Sequence, residues 1–279
     1  MISSRNYPPA TKLLPFLRRH YAFDADLPET LELEDMLMAD NAFIRIITRG
    51  EWSFWDGENW VSHRGALLFG SNGRTLKIRV KGPISVVSFS IRPSAWTALF
   101  DSSAVDFADR VARLSEAWGD DMAQRLEKAV ETSADDAACI AAIEEIVEDQ
   151  MGVIGRSRVD PVIASFEAIA RRDSTIKVDR AAEILGLSAR QLERRCLASF
   201  GLSPKSVLQR SRFLDMASAM RGLIKPEEAE LAGLRYFDQS HLNREFRRYT
   251  GMTPGAFQRK STPLFTASLQ LRVDGKDLA

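Results

Sequence analysis

The chain has 279 residues, 45% of them hydrophobic and 27% charged, with a formal net charge of zero. That composition excludes wholesale disorder and leaves room for two domains of ordinary size. Apolar runs such as 66–69 and 84–87 fall far short of the roughly 20 residues that cross a bilayer, and no basic stretch followed by an apolar one opens the chain, so a cytoplasmic protein with no membrane partner is expected.

The zero net charge divides unevenly. Residues 1–155 carry 16 Lys+Arg against 24 Asp+Glu, a net of −8, whereas residues 156–260 carry 20 against 12, a net of +8. Phosphate neutralisation by Lys and Arg supplies most non-specific nucleic-acid affinity, so only the second half is expected to meet a polyanion. The two cysteines, Cys139 and Cys196, lie in helix-like patterns and are too few for a disulfide framework or an all-cysteine zinc site.

In chain order, residues 43–91 hold short alternating or apolar runs (43–47, 52–55, 66–69, 75–80 and 84–89) broken by Asp56-Gly57, Asn72-Gly73 and Gly82-Pro83. Strands separated by such dipeptides predict a small antiparallel barrel or sandwich. Six aromatic residues in this region (Phe43, Trp52, Phe54, Trp55, Trp60, Phe69) are candidates for its core, with a ligand-lining role for a few of them as the sharper reading. After Pro93 the texture turns helical, with helix-period apolar residues expected near 94–100, 106–118, 120–131, 135–150 and 160–172. Gly152, Gly155 and Arg156-Ser157-Arg158 mark a junction, and Asp160-Pro161 the start of the helix that leads into a second domain. The expected division is 1–155 and 156–279.

The second domain contains one pattern twice, fifty residues apart. Ser188, Leu192, Arg194, Gly201, Ser203 and Pro204 recur as Asp238, Leu242, Arg244, Gly251, Thr253 and Pro254. Each copy has an oxygen-bearing helix cap, an apolar residue four positions on, and a Gly stop followed by Ser/Thr-Pro. Before the first copy, residues 178–185 predict a short helix, with Ala182 as a small packing residue and Gly186 at a bend that needs positive φ. These two helices, about 176–201, read as one helix-turn-helix unit, and 226–251 as a second. The helix at 189–200 is expected to bury Leu192, Cys196 and Phe200 and to present Arg190, Gln191, Glu193, Arg194 and Arg195. Residues 205–220 predict a connecting helix about 25 Å long, with Arg210 and Arg212 on its outside. The last copy buries Leu242 and Phe246 and presents Gln239, Ser240, Asn243, Arg244 and Arg247. Arginine, glutamine and asparagine are the side chains whose forked donors and acceptors match base edges in the major groove.

At these residues the chain resembles the AraC family of transcription regulators. Tyr236-Phe237-Asp238-Gln239-Ser240-His241-Leu242, Arg244-Glu245-Phe246 and Gly251-Met252-Thr253-Pro254 look like that family's C-terminal signature, and Gly201-Leu202-Ser203-Pro204 like its counterpart in the first unit, so the resemblance covers roughly 160–260. The first half looks like the cupin-like sensing domain of some members, through Leu68-Phe69-Gly70 and the Gly82-Pro83 strand pair leading to Arg92-Pro93. The resemblance implies an α+β protein: an N-terminal cupin-like β-barrel with helices, then an all-α double helix-turn-helix domain. It implies binding to two successive major grooves of double-stranded promoter DNA as a homodimer, a small-molecule or protein effector at the first domain, and RNA polymerase as a further partner. It also implies that Arg190, Glu193, Arg194, Gln239, Ser240, Asn243 and Arg244 read bases, while Arg195, Arg210, Arg212, Arg247 and Arg248 hold phosphates. The chain departs from the family pattern at Arg235, where a turn glycine is usual, and at Leu231, where a small residue is usual. A non-glycine residue at positive φ costs of order 1 kcal/mol, and a bulky Leu would push the helices apart.

No cofactor, metal site or catalytic constellation is expected. His20, His63 and His241 are the only histidines and do not form a ligand set or a triad. The alternative is an enzyme carrying a DNA-binding module, either a cysteine-dependent DNA-repair protein or a barrel isomerase. Acidic neighbours of Cys139 in 135–150 would blunt its thiol. The tail 263–279, with Leu264, Phe265, Leu269, Leu271 and Val273, is expected to pack back on the body as a strand or helix.

Overall fold

The computed structural model describes residues 2–274, so the last five residues of the expected tail lie outside the described residues. The strands are β1 (Ile2–Tyr7), β2 (Leu17–Ala25), β3 (Glu32–Leu37), β4 (Phe43–Trp55), β5 (Trp60–Phe69), β6 (Leu76–Ile91) and β7 (Val111–Arg113). They form one antiparallel sheet in the order β1-β2-β6-β4-β5-β7. β6 is its hub: residues 84–91 pair with β2, residues 76–81 pair with β3, and β4 lies along the other edge. The sheet curls as a barrel does, and among the described residues no ladder joins β1 to β7 to close it.

Two glycines make the bend. Gly50 in β4 has φ +91° and Gly82 in β6 has φ +73°, and a Cβ on Gly50 would sit 2.6 Å from the Pro83 carbonyl oxygen. The β4–β6 register shifts beside them, so the two strands kink together. Gly82-Pro83 is therefore not the turn between two strands that the dipeptide suggests. It is the point at which one long strand changes partner.

Alternation along the strands makes two cores. Ile44, Ile46, Leu68 and Phe89 face helices α1 (Trp96–Leu99), α2 (Ser115–Trp118), α3 (Asp120–Thr132) and α4 (Asp136–Ile154), where Trp96, Leu126, Ile143 and Val147 cover them. The opposite face buries Phe23, Trp52, Phe54, Phe69, Ile78 and Val86 among themselves, with Leu264 as the one helical residue in that buried cluster. A flat sheet cannot bury its own face, so this cluster depends on the curl. Segment 106–118, expected to be helical, instead contains the short strand β7 and the single turn α2, because Val111 to Arg113 pair with β5.

Beyond Gly155, which ends α4 at φ +69°, the chain is helical: α5 (Pro161–Arg172), α6 (Val178–Ile184), α7 (Ala189–Phe200), α8 (Pro204–Met220), α9 (Pro226–Leu234), α10 (Gln239–Thr250), α11 (Pro254–Arg259) and α12 (Pro263–Asp274). None of the helices in the described residues is long and apolar enough to cross a membrane. The tail segment is the helix α12. Its Phe265 and Leu269 join Phe213, Phe246 and Phe257 in a core that also takes Met36 and Met38 from the sheet region.

Candidate nucleic-acid interface

The first helix-turn-helix unit follows from local chemistry. Ala181 and Ala182 on α6 are buried against α7, and Gly186 bends the chain at φ +69° while Leu187 N donates to Ala182 O at 2.9 Å. Ser188 then caps α7 reciprocally: Gln191 N donates to Ser188 Oγ at 3.2 Å and Ser188 N to Gln191 Oε1 at 2.8 Å. Gln191 is thus a capping residue. Leu192, Cys196 and Phe200 pack on Ile163, Phe166, Val207 and Leu208, which leaves Arg190, Glu193 and Arg194 exposed on the other face. Arg195 is partly covered and donates to Asp160 Oδ2 at 2.7 Å, the same carboxylate whose other oxygen caps α5.

The second unit is built differently. Arg235 ends α9 with φ −75°, in the right-handed region, and the turn closes with Tyr236 N donating to Gly233 O at 3.1 Å. No positive φ is needed, so the strain expected at Arg235 is absent. The expected clash at Leu231 does not arise either, because Leu231 is 59% exposed and Ala232 is the small residue that packs inward. Asp238 caps α10 by accepting from His241 N at 2.6 Å, Gly251 stops it at φ +71°, and Phe246 is buried beneath it with Leu242 partly covered. Gln239, Ser240, Arg244, Arg247 and Arg248 are exposed, and Asn243 is half-buried. Gln239 Nε2 lies 3.4 Å from Asn243 Oδ1, and Arg248 donates to Gln209 Oε1 at 2.7 Å.

Two expected phosphate ligands are not on this surface. Arg210 is 5% exposed: it donates to the carbonyls of Asp40 at 2.7 Å and Asn72 at 3.4 Å, and to Asn41 Oδ1. Arg212 pairs with buried Glu245, donating to Oε2 at 2.5 Å and to Oε1 at 3.2 Å, and Tyr236 Oη donates to the same carboxylate at 2.7 Å. Burial, then the Glu245 charge, push the Tyr236 phenol well up, so it stays a donor. The physical reason is that α8 is covered over most of its circumference: Arg210 lies on the covered side, and Arg212, on the half-exposed stripe with Lys205, Gln209 and Met216, turns onto Glu245. The helix is packed by both helix-turn-helix units, α12 and the sheet region, so even Ser211, Asp215 and Ser218 are buried.

Sequence reading also missed the tie at Asp215. This buried carboxylate on α8 accepts from Arg235 at the second turn and, at 2.9 Å, from Arg272 on α12. No spacing rule links those three positions. Phe237, 94% exposed immediately before the cap of α10, was likewise not singled out as a surface residue. Burial raises both thiols, Cys139 to about 11 with help from Asp136 and Cys196 further, so neither is a thiolate at neutral pH.

Residues 181–260 match a family model described as a helix-turn-helix domain. No curated protein matches the chain. Among solved structures it is similar to unsaturated fatty acid-bound ToxT from Vibrio cholerae, with 12% identity over 86% of this chain and 94% of that one and a TM-score of 0.47. A second crystal form of ToxT from Vibrio cholerae gives 12% identity, 92% and 97% coverage and a TM-score of 0.47. The AraC-like transcriptional activator CuxR gives 11% identity, 84% and 90% coverage and a TM-score of 0.25. With its two capped helices and the matched family model, the region 181–260 is a helix-turn-helix domain.

Proposed function

We propose that α7 and α10 enter two successive major grooves on one face of promoter DNA. Arg190, Glu193 and Arg194 in the first groove, and Gln239, Ser240, Asn243 and Arg244 in the second, read base edges. The observation that carries this reading is the duplication itself: two helices, each capped at one end and stopped by a left-handed Gly at the other, with an apolar face buried and an Arg-bearing face exposed. The 17 residues of α8 span roughly 25 Å at about 1.5 Å per residue, a fitting brace for reading heads about 34 Å apart. Arg247 and Arg248 hold phosphate, and Arg195 does so when it leaves Asp160.

The basic half, 156–279, is the reading domain, and the acidic half, 1–155, sets its activity by receiving an effector. Homodimer formation and contact with RNA polymerase, which the AraC resemblance implies, belong to the same proposal. Raised thiols in both halves speak against a cysteine nucleophile.

Selection of bound sequences from a random duplex pool, with affinity then measured across a salt series, tests the reading. Two half-elements about ten base pairs apart are expected. A single short element would remove the second groove from the reading, and salt-dependent binding without any sequence enrichment would overturn base reading altogether.

A further inference from the structure

Phe237 is 94% exposed, the most exposed of the large apolar side chains among the described residues. The fifty-residue repeat sets it opposite Leu187, and each stands immediately before the cap of its helix, Asp238 or Ser188. In the first unit Leu187 packs on the core that holds Leu192, which is the staple expected of an apolar residue before a cap. In the second unit Leu242 packs against the core in the same way, but Phe237 stands out in solvent.

The two turns account for the difference. Gly186 bends the first at φ +69°, whereas the second has no residue at positive φ. Tyr236, opposite Gly186 in the repeat, takes the inner place: its ring centre is 5.3 Å from that of His241, and its hydroxyl donates to Glu245. The next side chain, Phe237, is left outside, at the end of α10 whose first two residues are the exposed Gln239 and Ser240. In helix-turn-helix complexes the residues at that end of the second helix meet base edges. Asp238 beside it is turned to the His241 N–H. Leu231 and Leu234 are exposed as well, but they lie on α9 among the exposed carboxylates of Glu227, Glu228 and Glu230, which repel phosphate, and Phe237 lies beyond that helix.

We propose that Phe237 reads a thymine in the second major groove, its ring set against the 5-methyl group, so that the second half-element is selected by one apolar contact as well as by hydrogen bonds. The chemistry selects thymine: a phenyl ring has no donor or acceptor for phosphate or for polar base edges, and the thymine methyl is the apolar group that the four bases offer in the major groove. In the first unit the equivalent residue is committed to the core, so the contact belongs to the second half-element alone. This inference rests on the reading that α10 enters a major groove.

The test uses the full-length protein and the operator recovered from the random pool. Each thymine of the second half-element is replaced in turn by deoxyuridine, which removes the methyl group and leaves every hydrogen-bonding group in place. At one position the wild-type protein should lose about four-fold in affinity, the worth of one buried carbon. Phe237→Ala should bind the thymine operator more weakly by at least that factor and should not distinguish uracil from thymine there, while Phe237→Leu should keep part of the distinction. An unchanged thermal midpoint is expected in both variants, because the side chain is almost wholly in solvent. Three results would each overturn the inference: no uracil-sensitive position in the second half-element, the same thymine preference in Phe237→Ala, or wild-type DNA affinity in Phe237→Ala. Weaker transcription at unchanged DNA affinity would give the ring to a protein partner instead. A pool that enriches a second half-element with no uracil effect sinks this inference alone, whereas a pool without a second half-element sinks the second groove and this contact with it.

Discussion

Arg235 ends a helix where glycine is usual, and its side chain does what a glycine cannot. It donates to Asp215, to Ser174 Oγ at 3.4 Å and to the Arg172 carbonyl at 3.4 Å, so the turn is held from outside by a guanidinium. Arg235→Gly is therefore expected to destabilise the protein by about 2–3 kcal/mol, since it strips one partner from a buried carboxylate, and urea denaturation measures it. An unchanged midpoint would mean that Asp215 is satisfied without Arg235. At Cys139 the folded state raises the thiol from 9.0 to about 11 through burial and the neighbouring Asp136. A raised thiol favours folding below its unfolded value, and that contribution is lost as pH climbs from about 9 toward about 11. Replacing Cys139 by Ala should flatten the fall in stability across that window, and a fall identical in both proteins would assign it to other groups.

At the scale of elements, the features readable from sequence were those set within a few residues. Ser188, Ser203, Asp238 and Thr253 cap helices as their side chains and neighbours dictate, and Gly201 and Gly251 stop them. The exposed faces of α7 and α10 followed from the same periodicity, which places polar residues opposite Leu192 and Phe246, and the AraC resemblance implied which of them would read bases. Strands β1, β2 and β3 were not legible, because their partners lie up to dozens of residues away and β2 and β3 share a single long strand. Arg210 and Arg212 were misplaced for a related reason: a helix-period pattern identifies one buried face, whereas α8 is covered on every side but one stripe, where Arg212 turns onto Glu245. Among the residues that remain exposed, Arg194→Ala and Arg244→Ala should each cost about 1–3 kcal/mol of specific binding and relax preference at one base position. Competition titrations against operator variants check this, and uniform weakening over all sequences would instead place those side chains on phosphate.

Across the whole molecule, the DNA-binding and sheet regions are joined by polar contacts as well as by Met36, Met38 and Phe265. Tyr249 O accepts from Thr75 N at 3.1 Å and from Thr75 Oγ1 at 2.5 Å, and a Cβ on Gly201 would lie 2.6 Å from the Ala104 carbonyl oxygen. Arg210 is the deepest of these ties, serving acceptors on Asp40, Asn41 and Asn72 at once. Removing it strips a donor from the Asn41 and Asn72 oxygens and leaves the Asp40 carbonyl only Asn72 N, so Arg210→Ala should lose about 2–4 kcal/mol and split one calorimetric transition into two. A single transition at a lower temperature would show that apolar contacts alone keep the regions cooperative.

The packing of α8 on most of its sides also bears, on the proposed two-groove reading, on what the protein tolerates in its operator. On that reading, because α7 and α10 both pack on α8 and the sheet region grips it too, the molecule would work as a calliper rather than as two heads on a tether. Inserting one base pair between the half-elements turns the far one by about 35° around the duplex axis. A tethered reader would follow that rotation at little cost, but this one must either give up a groove or break its own interior, so operator spacing should be as strictly selected as operator sequence.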